Sequence, residues 1–419
     1  MRGTAIPAKE HTTHGLSGGL ERPDWPPLTL DEADAVLRRY PAAGGAVRLL
    51  SWSPRPFSAA SVVAVLDGYL QGGRVVLKRH HVSVRDRDGL LEEHRLMAFL
   101  AAADWGDGER LVSPPLADLD GETVVQRGEW VYEAHAVAPG VDLYEQALSW
   151  TPFFTAGHAR AAGRAMARMH VAARGYDARA RARQQLVSSF TIFAGLGFAG
   201  SEFDGADGNL GSDPVARMAA YLEARPELRE YAEKRDWRAS MEALLRPFYG
   251  ELRPWLRFLE PLWTHNDFHA SNLMWSGDSV DAEVTAIIDF GLADRTNAVH
   301  DLATAIERNG IEWLRLSEVE AEIVRLEQIA ALLAGYEEVR PLSYEERRAV
   351  AAMLPLVHCE FALSETDYFL SVLHSEERAY LGYEGYFLGH AEWFRGEQGR
   401  RLLDWLNRWA EDRMLRGPQ

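Results

Sequence analysis

Trp263-Thr264-His265-Asn266-Asp267-Phe268-His269-Ala270-Ser271-Asn272-Leu273, followed by Ala286-Ile287-Ile288-Asp289-Phe290-Gly291, decides the reading of this chain. The first stretch holds an H-x-D-x4-N element. The second is an apolar strand that runs into Asp-Phe-Gly. Both are parts used to transfer a phosphoryl group from a nucleoside triphosphate. Asp267 is placed to receive the proton of an attacking hydroxyl. Asn272 and Asp289 offer the hard oxygen ligands that Mg2+ takes beside substrate phosphates. Asp289 ends the apolar run Val284 to Ile288, where a strand holds a ligand rigidly.

Composition sets bounds around that site. A chain of 419 residues is long enough for two or three packed subdomains. No apolar run approaches the length of a membrane span, so no membrane partner is expected. The formal net charge of −17 repels nucleic-acid backbones and excludes nucleic acid as a natural partner. It mildly favours a cationic small substrate, although solubility alone accounts for it. The single cysteine, Cys359, sits in an apolar setting and reads as core. With no disulfide possible, a reducing, cytoplasmic location is expected.

Working outward, residues 1–27 are polar, lack an apolar signal centre and read as a flexible N-terminal segment. Asp31 to Tyr40 reads as a short helix capped by Thr29 or Asp31. Ala46 to Leu50, Ser61 to Leu66 and Arg74 to Arg79 read as strands, with Lys78 near the end of the third. Leu90 to Leu100 has helical spacing and carries Glu93. Thr123 to Gln126 and Glu129 to Ala134 form an expected hairpin, and Pro139-Gly140 breaks it. From about residue 150 the pattern turns helical, with an irregular Gly/Asp-rich centre at 195–213.

Taken together, His265 to Asn272, Ile288-Asp289-Phe290-Gly291 and Asp301-Leu302-Ala303 resemble the aminoglycoside phosphotransferase/choline kinase-type family of phosphotransferase enzymes. The resemblance runs through residues 45–310 and is sharpest over 263–303. It implies an α+β, protein-kinase-like bilobal fold with a small β-rich N-lobe and a large, mostly helical C-lobe. The implied division is 28–134 for the N-lobe, 135–140 for a hinge linker, and 141–419 for the C-lobe with its catalytic loop at 263–294.

The resemblance also implies roles. Asp267 matches the catalytic residue, and Asn272 and Asp289 match the Mg2+ ligands. Lys78 matches the lysine that grips the nucleotide phosphates, with Glu93 as its helix partner and Glu92 as the alternative. His265 and Asp301 match structural supports of the loop. His135 and Val137 match the segment that meets the adenine edge. The phosphate-covering loop at 53–61 has no glycine here, which leaves Ser58, Ser61 and Arg55 as candidate phosphate contacts. Asp294, Glu307, Glu360, Glu365 and Asp367 are acidic candidates for a cationic substrate.

The implied activity uses ATP (or GTP) and Mg2+. It transfers the γ-phosphate to a hydroxyl of a small molecule such as an aminoglycoside-like antibiotic, an amino alcohol or a sugar. The Gly-poor loop motivates one alternative, a nucleotide-binding pseudokinase or regulatory protein without transfer. A protein-hydroxyl acceptor is disfavoured, because eleven residues between Asp289 and Asp301 leave no room for a peptide-binding segment. A zinc cluster of His265, Asp267 and His269 is a weaker alternative than the kinase pattern.

Overall fold

The computed structural model describes residues 13–14, 20–21, 24–41, 46–52, 61–68, 74–106, 109–148, 150–182, 185–195, 213–316, 318 and 321–416. The chain divides into two compact units. One comprises Met1–Ser149 with Leu273–Ile288, the other Trp150–Asn272 with Asp289–Gln419. Among the described residues no helix is long and apolar enough to cross a membrane.

In the first unit, a two-residue pair, β1 (Thr13–His14) and β2 (Leu20–Glu21), precedes helix α1 (Leu30–Leu37). Helix α1 starts at Thr29 with a full capping box. The Thr29 hydroxyl accepts from the Glu32 N–H, and the Glu32 carboxylate accepts from the Thr29 N–H. β3 (Ala46–Trp52), β4 (Ser61–Gly68), β5 (Arg74–His81), β6 (Val125–Arg127) and β7 (Trp130–Ala136) form one antiparallel sheet in the order β3-β4-β5-β7-β6. Helix α2 (Arg87–Ala102) follows β5 and starts on the Asp86 cap.

Strand alternation separates two faces of that sheet. Val75, Leu77, Tyr132 and Ala134 pack with Val36, Leu37 and Tyr40. Val131 packs with Leu90 of α2. By the same alternation Lys78, His80, Glu133 and His135 share the second face. The N-terminal segment does not stay loose as far as residue 27. The Trp25 ring stacks on His81 at 4.9 Å and meets Trp130 edge-on. Burying an indole there offsets the ordering cost that a polar tail cannot meet. β9 (Leu273–Trp275) and β10 (Val284–Ile287), numbered after β8 below, form a hairpin in this unit.

The second unit is mainly helical. It includes one short pair, β8 (Pro261–Thr264) with β11 (Asp294–Asn297). Its most intimate contact joins the helices Ala156–Ala172 and Leu326–Val339. A Cβ on Gly163 would lie 2.1 Å from the Leu332 carbonyl, and one on Gly335 would lie 2.0 Å from the Arg160 carbonyl. Only glycine lets two backbones approach so closely. The contact brings His170 of one helix to the Tyr336 hydroxyl of the other, 2.7 Å away.

Candidate active site

The loop after β8 is fixed before any substrate arrives. Asn266 adopts a left-handed conformation, φ 60°, which Asn tolerates better than most residues. Its side chain repays the strain with several bonds. Oδ1 accepts from the hydroxyls of Thr264 and Thr296, and Nδ2 donates to the Ser188 and Leu292 carbonyls. Asp301 accepts the backbone N–H groups of His265 and Asn266 at 3.1 and 2.8 Å. Its carboxylate also meets His170 Nε2 at 2.9 Å. Burial pushes the Asp301 carboxyl up, but His170 and these donors outweigh that and hold it below the ordinary range. Asn309 closes the other side, accepting from Ala270 N–H and donating to the Phe268 carbonyl.

From Thr264 to Asn272 every residue is buried except Asp267. Its side chain keeps 19% exposure. Asn272 Nδ2 donates to the Asp267 carbonyl at 3.0 Å and to its carboxylate at 3.3 Å. Arg308 and His269 stand 3.4 and 3.5 Å from that carboxylate. Burial pushes the Asp267 carboxyl up, yet the charges of His269 and Arg308 prevail and hold it well below the usual carboxylate range. His265 Nδ1 accepts the Asp267 N–H at 3.3 Å, and the His269 ring bonds Ser271. Those two rings therefore brace the loop instead of forming a metal set with Asp267.

Asp289 is left-handed as well, φ 61°. The neighbouring Gly291 leaves room for it, since a Cβ there would stand 3.2 Å from its Oδ1. Because Asn272 spends its amide N–H groups on Asp267, its Oδ1 remains as an acceptor. One amide oxygen and one carboxylate match what Mg2+ takes from protein, which is few ligands, all oxygen.

In the first unit, Lys78 and Glu133 are directly opposed across β5 and β7, and their charged atoms are 4.0 Å apart. Three histidines also surround Glu133. His80 Nε2 lies 3.0 Å away, and His94 Nε2 and His135 Nε2 each lie 2.8 Å away. Burial pushes Glu133 up, but Lys78 and His135 hold it far below its ordinary value. Glu93 is buried on α2. Sequence reasoning missed Glu133; the pairing register that sets it opposite Lys78 was the available signal. His135 lies inside β7 with its ring on Glu133, so the strand runs through the first two residues of the expected linker. Val137, just beyond, is exposed. Ser61 opens β4 opposite His80. Ser58, Arg55 and loop residues 53–60 lie outside the described residues, as does most of 195–213.

The acidic candidates separate into kinds. Asp294 is buried and accepts the backbone N–H groups of Arg181 and Arg295, so it belongs to the fold and not to a substrate. The Glu360 carboxylate is likewise occupied by the fold. It accepts from Ser189, Ile192 and twice from Thr191, which ties the start of the short helix Thr191–Ala194. Asp367 is also buried, and burial pushes it up to about 6. Glu365 is buried with no hydrogen-bond partner on either oxygen among the described residues, and burial pushes it up to about 7. Arg308 and Asp267 both act on its charge. Glu307 is buried beside His358 and His390.

A partly exposed, ionised Asp267 bonded by Asn272, and a left-handed Asp289 opening Asp-Phe-Gly, are the parts of a phosphoryl-transfer enzyme of α+β, kinase-like class. The model of the phosphotransferase enzyme family matches residues 54–342. The chain belongs to that family. No curated protein matches it. Among solved structures, it is similar to an aminoglycoside phosphotransferase from Alicyclobacillus acidocaldarius (17% identity, 93% of this chain and 98% of that one, TM-score 0.46). It is also similar to a spectinomycin phosphotransferase in complex with ADP and spectinomycin (11%, 92% and 99%, 0.47). A third is the Plasmodium vivax ethanolamine kinase (10%, 77% and 77%, 0.43).

Proposed function

We propose that this phosphotransferase moves the γ-phosphate of ATP or GTP to a hydroxyl of an aminated or sugar-like small molecule. The partial exposure of Asp267 within an otherwise buried loop carries the reading. A loop built only for packing has little reason to keep one carboxylate partly exposed and ionised.

The low pKa of Asp267 also chooses its role. A carboxylate this acidic is a poor base for an alcohol, so it orients the hydroxyl and takes its proton late. That suits a loose phosphoryl transition state, in which positioning outweighs proton abstraction. His269 and Arg308 keep it ionised, and Asn272 keeps it in place. Asn272 Oδ1 and Asp289 would hold Mg2+, which supplies charge neutralisation on the phosphates. In the first unit, Lys78, steadied by Glu133 and with Glu93 as its helix partner, is the proposed contact for nucleotide phosphate, with Ser58 and Ser61 as further candidates, and His135 and Val137 are the proposed contacts for the base. Glu365 is the favoured acidic contact for a substrate ammonium, because a buried, unpartnered carboxyl gains most from a cation. Asp367 is a second, more remote candidate. A lone buried thiol at Cys359 suits a reducing cytoplasm.

The test is a screen of amino alcohols, sugars and aminoglycosides for nucleotide-dependent phosphorylation. It is repeated with Asp267→Ala and Asp289→Ala. Transfer by the wild type that disappears in both variants supports the reading. Transfer that survives both unchanged overturns it.

A further inference from the structure

Glu307, His358 and His390 converge in the helical unit without satisfying one another. Glu307 lies on the helix Ala298–Gly310, His358 just before the helix Cys359–Ser371, and His390 on the helix Gly389–Trp393. All three are buried. One candidate ligand atom from each lies within 4.8 Å of the other two. His390 Nδ1 is 3.0 Å from Glu307 Oε1, and His358 Nδ1 is 3.7 Å from Oε2. Neither contact has hydrogen-bond geometry. Both Glu307 oxygens, His358 Nε2 and His390 Nδ1 lack a hydrogen-bond partner among the described residues. Unpartnered buried atoms are costly, and native interiors rarely leave them unexplained.

The surroundings hold these ligands in place. The Trp313 indole stacks on His390 at 3.8 Å and 5°, and its Nε1 donates to the Glu307 carbonyl. A π-helix, Leu381–Leu388, comes directly before the His390 helix. Such insertions are frequent at functional sites.

We infer that Glu307, His358 and His390 form a binding site for one divalent transition-metal ion of the Zn2+ type. Two imidazoles and a carboxylate are a known ligand set for such ions and leave a coordination position open. The other His/Glu cluster, His94, Glu133 and His135, is a poorer host, because its ring nitrogens already bond the carboxylate. The site is distinct from the Asn272 and Asp289 oxygens, which suit Mg2+. Arg308, 3.8 Å from Glu307 and 3.4 Å from Asp267, lies between the two carboxylates.

The experiment uses the full chain, stripped of metal with chelator and dialysed. Zn2+ uptake is measured by elemental analysis, and Co2+ is followed by its visible absorption. The expected result is one equivalent bound per chain, with a low-coordinate Co2+ spectrum. Glu307→Gln and His358→Gln should each weaken binding by at least about 10-fold, while His94→Gln leaves it unchanged. Failure of the wild type to bind either ion overturns the proposal, whatever the variants do. Binding that survives both Glu307→Gln and His358→Gln, or falls only with His94→Gln, also overturns it.

Discussion

Asp267 and Glu365 are both carboxylates of the helical unit, both feel the charge of Arg308 and burial raises both, yet their net shifts are opposite. Asp267 has Asn272, His269 and Arg308 around it and stays ionised. Glu365 has no hydrogen-bond donor among the described residues, and burial pushes it up to about 7. The difference shows that depth does not set the charge state here; the partners do. One group keeps a fixed charge, and the other has a charge that a nearby cation would change.

The largest expected effect comes from removing the prepared group. Asp267→Ala should lower the rate of transfer by about 10²–10⁴-fold, in the range of a lost proton acceptor, while far-ultraviolet circular dichroism stays unchanged. Next is the residue the two carboxylates share. Arg308→Met leaves Asp267 short of its cation and should cost about 3–5 kcal/mol in denaturant unfolding, because one half of a buried pair is lost. An unchanged midpoint would mean that His269 and Asn272 suffice.

Asp301→Asn tests the support beneath the loop. It weakens charge-assisted bonds to two backbone N–H groups and to His170, and should cost about 2 kcal/mol with a matching loss of turnover. Glu365→Gln should have the smallest effect, visible in pH dependence. The folded carboxyl titrates near 7, above its ordinary 4.5, so between those values the folded state holds the extra proton. Wild-type stability therefore falls as pH rises from about 4.5 to 7, through this group. The Gln variant should lack that slope and be more stable at pH 8 by on the order of 1 kcal/mol. Parallel pH curves for the two proteins would show that Glu365 is already paired.

Much of this was legible because it is local. The spacing of Asp267, Asn272 and Asp289 is written in the chain, as are the Thr29 cap and the period of β5 and α2. What escaped depends on contacts between distant segments. Glu133 matters through a strand register that puts it opposite Lys78. Glu360 and Asp294 read as candidates for a cationic substrate because nothing nearby in sequence announces the backbone N–H groups of Thr191, Ile192, Arg181 and Arg295. The helix Cys359–Ser371 is buried almost all round, and its acids went in with it. Its mixed sequence gives no polar face from which to foresee that.

The seam at Gly163 and Gly335 carries a consequence for how this enzyme tolerates change. Those two hydrogens, in place of methyl groups, let His170 reach Tyr336 on one side and Asp301 on the other, and Asp301 grips the start of the catalytic loop. The helix pair is thus a lever whose fulcrum has no side chain. A single added carbon at either position would be transmitted through the imidazole to the loop that presents Asp267.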